Sequence, residues 1–148
     1  MNSPRRTILI VEDEAHDVEL IQLALERAGI DAPVFAASNG EDAIAYLSGT
    51  PPYSDRGAHP LPSMIITDLK MPQMGGLELL RWLREHPRFR ALPTIVLTSS
   101  SAPKDVSLAF ELGARGYMVK PVSLTQLEKT LRTVAIYWQL SLLPSESN

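Results

Sequence analysis

Five side chains, far apart along the chain, have the types that do chemistry: the adjacent acids Glu12 and Asp13, then Asp68, Thr98 and Lys120. Three carboxylates gathered in one place repel one another and call for a cation. Hard oxygen donors with no imidazole or thiolate among them select Mg2+ or a similar hard ion. A lysine beside the acids offsets charge and, as a point charge, suits a phosphoryl oxygen. A hydroxyl can donate to that same oxygen. Together these groups describe a site that accepts a phosphoryl group on a carboxylate and forms an aspartyl phosphate. Each residue alone has a plainer reading. An acid at a strand end usually caps the next helix, and a lysine before proline usually faces solvent. The weight lies in their joint occurrence.

The elements that would position them can be read from the pattern. Thr7-Ile8-Leu9-Ile10-Val11 is a continuous β-branched run that stops at Glu12. Such a run is expected of a strand buried on both faces of a parallel sheet. Met64-Ile65-Ile66-Thr67 ends at Asp68, Thr94-Ile95-Val96-Leu97 at Thr98, and Gly116-Tyr117-Met118-Val119 at Lys120. Pro33 to Ala37 is a weaker second strand. Between the strands come helical spacings: Val18, Ile21, Leu25 and Ala28 closed by Gly29; Gly40 to Leu47; Leu77, Leu80 and Leu83 ending before Pro87; Pro103 to Leu112 closed by Gly113; and Leu127, Leu131, Val134 and Trp138 behind an N-cap at Ser123. In the fourth helix Val106, Ala109 and Phe110 are expected to face the core. The stretch Gly49 to Pro62, with four prolines and two glycines, is a loop. Strand and helix alternating five times predict an α/β fold: a doubly wound parallel sheet with helices on both faces. Ligands of such sheets bind beyond the carboxyl ends of the strands. Four of the five strands end there on the residues named above.

Composition narrows the field. The chain has 148 residues, 45% of them hydrophobic, a net charge of −3 and no cysteine. One domain suits that length. Without cysteine there is no disulfide framework and no thiolate metal centre. The three histidines lack H-x-x-x-H spacing. The acidic balance argues against a nucleic-acid or membrane-surface partner, and Arg81, Arg84, Arg88 and Arg90 read as a solvated face. No apolar run approaches the ~20 residues of a membrane span. Basic Arg5 and Arg6 are followed by only a short apolar stretch, too short for a signal peptide. A cytoplasmic location is expected. Neither a P-loop nor a G-x-G-x-x-G occurs, so nucleotide binding has no support.

Four ordered segments give the chain a resemblance to the receiver domain of two-component response regulators: Ile8-Leu9-Ile10-Val11-Glu12-Asp13-Glu14, Thr67-Asp68-Leu69-Lys70-Met71-Pro72, Val96-Leu97-Thr98-Ser99, and Gly113-Ala114-Arg115-Gly116-Tyr117-Met118-Val119-Lys120-Pro121. The resemblance covers about residues 6–138. It implies a flavodoxin-like sheet of order 2-1-3-4-5 with five helices, a receiver domain over residues 1–138, and a C-terminal extension over 139–148. It implies that Asp68 is phosphorylated by a histidine kinase. Asp13, Asp68 and the Lys70 backbone carbonyl would ligate Mg2+, with Glu12 acting through a metal-bound water. Thr98 would close on the phosphoryl group and Lys120 would bridge to it. Tyr117 would be the aromatic switch coupled to Thr98, and Lys120–Pro121 a cis peptide. Two departures stand out. Glu12 replaces the commoner aspartate, a swap the family accepts. Gly75 replaces an aspartate, which removes a side-chain cap from the third helix.

The long Gly49–Pro62 loop and the apolar tail from Tyr137 to Leu143 resemble the small regulators paired with bacterial phytochromes. The expected partners are a sensor histidine kinase of that kind, a downstream protein and a second copy of the chain. The dimer expectation rests on Ile136, Tyr137, Leu140, Leu142 and Leu143, which exceed what one helix stripe buries. The competing reading of another class is a non-phosphorylated pseudo-receiver that acts as an interaction module. An aspartyl phosphatase is less well supported, because Lys70 stands where such enzymes carry a second aspartate.

Overall fold

The computed structural model describes residues 6–140, and side chains as far as Val134. Ten elements alternate: β1 (Ile8–Val11), α1 (Ala15–Arg27), β2 (Val34–Ala37), α2 (Gly40–Ser48), β3 (Met64–Thr67), α3 (Gly76–Glu85), β4 (Thr94–Thr98), α4 (Pro103–Glu111), β5 (Gly116–Val119) and α5 (Leu124–Leu140). All strand pairs are parallel, in the order β2-β1-β3-β4-β5. β1 and β3 are neighbours, with Val11 level with Thr67. The chain leaves β1 for β2 on one side and later reaches β3 on the other, so the switch point lies between Glu12 and Asp68.

Strand side chains alternate between two faces, because successive Cβ atoms point oppositely. Ile8, Ile10, Met64, Ile66, Ile95 and Leu97 pack under Ile21 and Leu25 of α1 and Leu127, Leu131 and Val134 of α5. Leu9, Val11 and Ile65 pack under Ala43, Tyr46 and Leu47 of α2 and Leu79 and Leu83 of α3. Val96 meets Leu80, Ala109 and Leu112. Each fully buried side chain of this size contributes roughly 1.5–3 kcal/mol. The central strands therefore hold their carboxyl ends firmly in place. Among the described residues, no helix is long and apolar enough to cross a membrane.

Local signals act as expected at most element ends. Gly29 and Gly113 close α1 and α4 at φ +86° and +106°, where a Cβ would be strained. The Ser123 hydroxyl accepts from the Gln126 N–H at 3.2 Å. Gly75 stands at the N-cap of α3 with no side-chain cap.

Two expectations fail. α4 turns Ala109 and Leu112 inward, with Leu108 beside them, while Phe110 is left 49% exposed. One residue along a helix is a rotation of about 100°, and the stripe that fits Val96 and Leu80 excludes Phe110. The Lys120–Pro121 bond is trans. Among the described residues the cis peptide is Pro51–Pro52. Trans is the preferred isomer even before proline, and with it Lys120 already reaches its carboxylate partners. Ile136, Tyr137, Trp138 and Leu140 have no described side chains, and Leu142 and Leu143 lie outside the described residues.

The loop between α2 and β3 is bound down along its length. Arg56 Nη1 and Nη2 donate to the Tyr46 and Leu47 carbonyls, both at 2.7 Å, at the end of α2. Nη1 also reaches the His59 carbonyl at 3.1 Å. The Tyr46 hydroxyl donates to the Pro60 carbonyl at 2.9 Å. The Tyr53 hydroxyl donates to Asp42 Oδ1 at 2.7 Å.

Candidate functional site: an acid pocket at the carboxyl edge of the sheet

β1, β3 and β5 deliver their terminal residues to one place. Glu12 and Asp68 are buried and Asp13 is exposed. One carboxylate oxygen from each lies within 4.8 Å of the others. The Asp68 N–H donates to the Val11 carbonyl at 3.0 Å, which ties the end of β3 to the end of β1. Lys120 follows β5, and its N–H donates to the Thr98 carbonyl at 2.7 Å.

The Lys120 ammonium is the hub. It donates to Glu12 Oε1 at 2.6 Å, Asp68 Oδ2 at 2.8 Å and Asp17 Oδ2 at 2.9 Å. Asp68 Oδ1 accepts from the Leu69 N–H at 2.6 Å. The Thr98 side chain, fully buried, stands beside the Asp68 carboxylate and helps to stabilise its charge. Burial works against the ionised form of Asp68, but the hydrogen bonds from Lys120, Thr98 and Leu69 outweigh it and hold its pKa below the usual carboxylate range. Glu12 shows the opposite balance. Burial dominates over the Lys120 and Glu14 hydrogen bonds, and its carboxyl is pushed up to about 7. Burial would also discharge Lys120, yet its bonds to Asp68, Glu12 and Asp17 keep it well above the ordinary lysine value. The pocket thus holds one carboxylate, Asp68, kept ionised and one carboxyl, Glu12, that a hard cation would help to ionise.

Glycine shapes the floor. A Cβ on Gly76 would stand 2.2 Å from the Asp68 carbonyl oxygen, and one on Gly75 would stand 2.5 Å from that of Leu69. The start of α3 therefore lies flat against the backbone of Asp68 and Leu69. Gly75 stands where the resemblance implies aspartate, and a side chain there would need this approach to open.

Of the residues singled out in the sequence, Glu12, Asp13, Asp68, Thr98 and Lys120 converge here. Lys70 does not send its side chain into the pocket. That chain is 69% exposed and its Nζ lies 3.5 Å from Asp105 Oδ2. Tyr117 is half-buried, and its hydroxyl donates to the Ser100 carbonyl at 2.8 Å. Asp17 and Asp105 were not foreseen. Each sits in the first turn of a helix that leaves the carboxyl edge. That position puts an acid on the same rim as the strand ends, and it is the signal that could have found them.

Residues 8–132 match the response regulator receiver domain family. The chain belongs to that family. This receiver domain is 31% identical to response regulator Rcp1 of Synechocystis sp. over 137 residues, covering 93% of this chain and 91% of that one. The Mn2+-bound form of Rcp1 is similar in structure, with a TM-score of 0.83 over 95% of this chain and 99% of that one. The phosphorylated cyanobacterial phytochrome response regulator RcpA is 28% identical, with a TM-score of 0.85 and coverage of 95% and 99%. Response regulator RPA3017, in red light signaling of R. palustris, is 31% identical, with a TM-score of 0.87 and coverage of 94% and 98%. The receiver domain therefore shares its flavodoxin-like fold with regulators described as phytochrome-linked.

Proposed function

We propose that this receiver domain accepts a phosphoryl group on Asp68 from the phosphohistidine of a sensor kinase. One observation carries the reading: from three different strand ends, Lys120 Nζ donates to Asp68 Oδ2 at 2.8 Å, the Lys120 N–H donates to the Thr98 carbonyl at 2.7 Å, and Glu12 and Asp13 bring their carboxylates to the same place. In the transfer an Asp68 carboxylate oxygen forms a bond to phosphorus. The bond from phosphorus to the imidazole nitrogen breaks, and the imidazole leaves with the electron pair. Lys120 is placed to move from Asp68 Oδ2 to a phosphoryl oxygen, and the Thr98 hydroxyl to donate to another. Asp17 and Glu12 keep the ammonium charged and at the site.

A divalent cation fits the donor set. Glu12, Asp13 and Asp68 offer only carboxylate oxygens, close enough to share one ion, and Glu12 lacks full compensation. Glu12, Asp13, Asp68 and the Lys70 carbonyl would hold Mg2+. When bound, the ion supplies charge neutralisation for an anionic phosphoryl group approaching an anionic nucleophile. The domain assists its own phosphorylation and dephosphorylation but turns over no separate substrate.

The signal follows as a change in surface. Thr98 moving onto the phosphoryl group would shift the loop after β4, and Tyr117, hydrogen-bonded to Ser100 in that loop, would follow. A bacterial phytochrome is the kinase class favoured by the relatives. A homodimer assisted by residues 139–148 belongs to the same reading. Light scattering on the full chain and on a chain lacking 139–148 checks it, the expected result being a shift toward the monomer.

Mass spectrometry after acetyl phosphate and Mg2+ tests the central claim. A gain of one phosphoryl group is expected in the native chain and none in Asp68→Asn. No gain in either would favour the non-phosphorylated interaction module, and full labelling of Asp68→Asn would refute the assignment.

A further inference from the structure

Beside the acceptor lies a second charged cluster that the proposed chemistry does not use. Asp105, in the first turn of α4, accepts from the Ser100 hydroxyl at 2.6 Å through Oδ2, and the same oxygen lies 3.5 Å from Lys70 Nζ. The Ser100 hydroxyl also accepts from the Ala102 N–H at 3.3 Å, and the Ser100 N–H reaches Thr98 Oγ1 at 3.4 Å. Lys70 stands two residues beyond Asp68, and Ser100 two beyond Thr98. One carboxylate therefore ties the loop after β3 to the loop after β4. Asp105 is itself held below the ordinary aspartate range, first by the Ser100 hydroxyl and then, against some burial, by Lys70.

Lys70, with Lys104 also acting on Asp105 from α4, brings positive charge to this rim that Lys120 does not replace. Lys120 is committed to three carboxylates inside the pocket, whereas Lys70 reaches outward from the residue pair that follows the acceptor. While Asp105 holds it, its charge is offset and its ammonium is turned toward α4. An anionic phosphodonor approaching Asp68 then meets a rim with little net positive charge. We propose that Asp105 is a positioning residue: by holding Lys70 and Ser100 it limits how readily anionic phosphodonors reach Asp68. This rests on Asp68 being the phosphoryl acceptor.

The acquisition rate from acetyl phosphate, with saturating Mg2+ and the full chain, tests it. In that step an Asp68 oxygen–phosphorus bond forms as the phosphorus–oxygen bond to acetyl breaks, and acetate leaves with the electron pair. Asp105→Asn keeps the acceptor for Ser100 and removes the charge. It should take up phosphate about three- to ten-fold faster at low ionic strength, with the gain fading in high salt. The gain should vanish in a Lys70→Met background, and Asp105→Glu should stay at the native rate. A general loosening of α4 would give neither the salt dependence nor the rescue, and circular dichroism checks the fold of each variant. If the native chain is labelled but Asp105→Asn gains nothing, or gains equally without Lys70, or Asp105→Glu gains as much, the positioning role is wrong while the acceptor assignment stands. If the native chain takes no label, the acceptor assignment fails and the positioning role fails with it.

Discussion

Lys120 Nζ and Glu12 Oε1 lie 2.6 Å apart although 108 residues separate them in the chain. The contact joins the end of the edge strand β5 to the end of the central strand β1 across β3 and β4. It is a tertiary bond, although the Glu14 N–H also steadies Glu12 locally through Oε2 at 3.2 Å. Removing one side of a buried charge pair leaves the other uncompensated. Lys120→Met is therefore expected to lower stability by about 3 kcal/mol without divalent ions. Millimolar Mg2+ should restore part of the loss by binding the folded form. Urea denaturation with EDTA and with Mg2+ measures both.

Thr98 and Tyr117 both engage Ser100 in the loop after β4, one through the Ser100 N–H at 3.4 Å and the other through the Ser100 carbonyl at 2.8 Å. On the proposed function, Thr98→Ala should still accept phosphate but lose the coupled response, because the hydroxyl proposed to meet the phosphoryl oxygen is gone. Amide shifts in α4 on adding beryllofluoride should change in the native chain and change far less in the variant. Equal changes would break the coupling.

Gly76 has no room for a side chain beside the Asp68 carbonyl. Gly76→Ala must push α3 or the Asp68 backbone aside. A loss of about 2 kcal/mol or more is expected, together with weaker Mg2+ binding. Thermal unfolding and metal titration report the two effects separately.

The Tyr53 hydroxyl is held above its ordinary range, up to about 12, first by burial and then by its bond to Asp42. The sign follows from which state ionises first. Below about pH 10 the phenol is neutral folded and unfolded, and its contribution is intact. Above that the unfolded chain ionises first, so stability falls as pH rises from about 10 towards 12. Tyr53→Phe should cost about 1 kcal/mol at neutral pH and flatten this alkaline decline. Some slope should remain, since burial raises Tyr46 too. Urea midpoints at pH 8 to 11 decide it.

The parallel sheet and the convergence of the central acids were legible from short-range pattern, whereas the strand order came only with the family resemblance. Ile8–Val11 and Met64–Thr67 are apolar runs cut off by acids, and the parallel topology makes those cuts coincide. Asp17 and Asp105 were not legible in the same way. An acid in the first turn of a helix is favoured there by the helix dipole alone, so its type announces no partner; only packing brings Asp17 to Lys120 and Asp105 to Lys70. Phe110 was misplaced because a two-turn helix with apolar residues at 106, 108, 109 and 110 fits more than one inward stripe. The Lys120–Pro121 isomer was misread because residue type permits both forms and does not choose between them.

The Gly49–Pro62 connection has a consequence for how the chain meets proteases. A loop of this length is ordinarily the first place a domain is nicked, because cleavage needs several residues to leave the surface together. Here Arg56 grips the end of α2, Tyr46 holds Pro60, and Tyr53 is fastened to Asp42. Lifting the loop into a protease's cleft means breaking those attachments and baring the aromatic rings beneath. Tryptic cleavage after Arg56 should thus lag behind cleavage at exposed arginines such as Arg88 and Arg90.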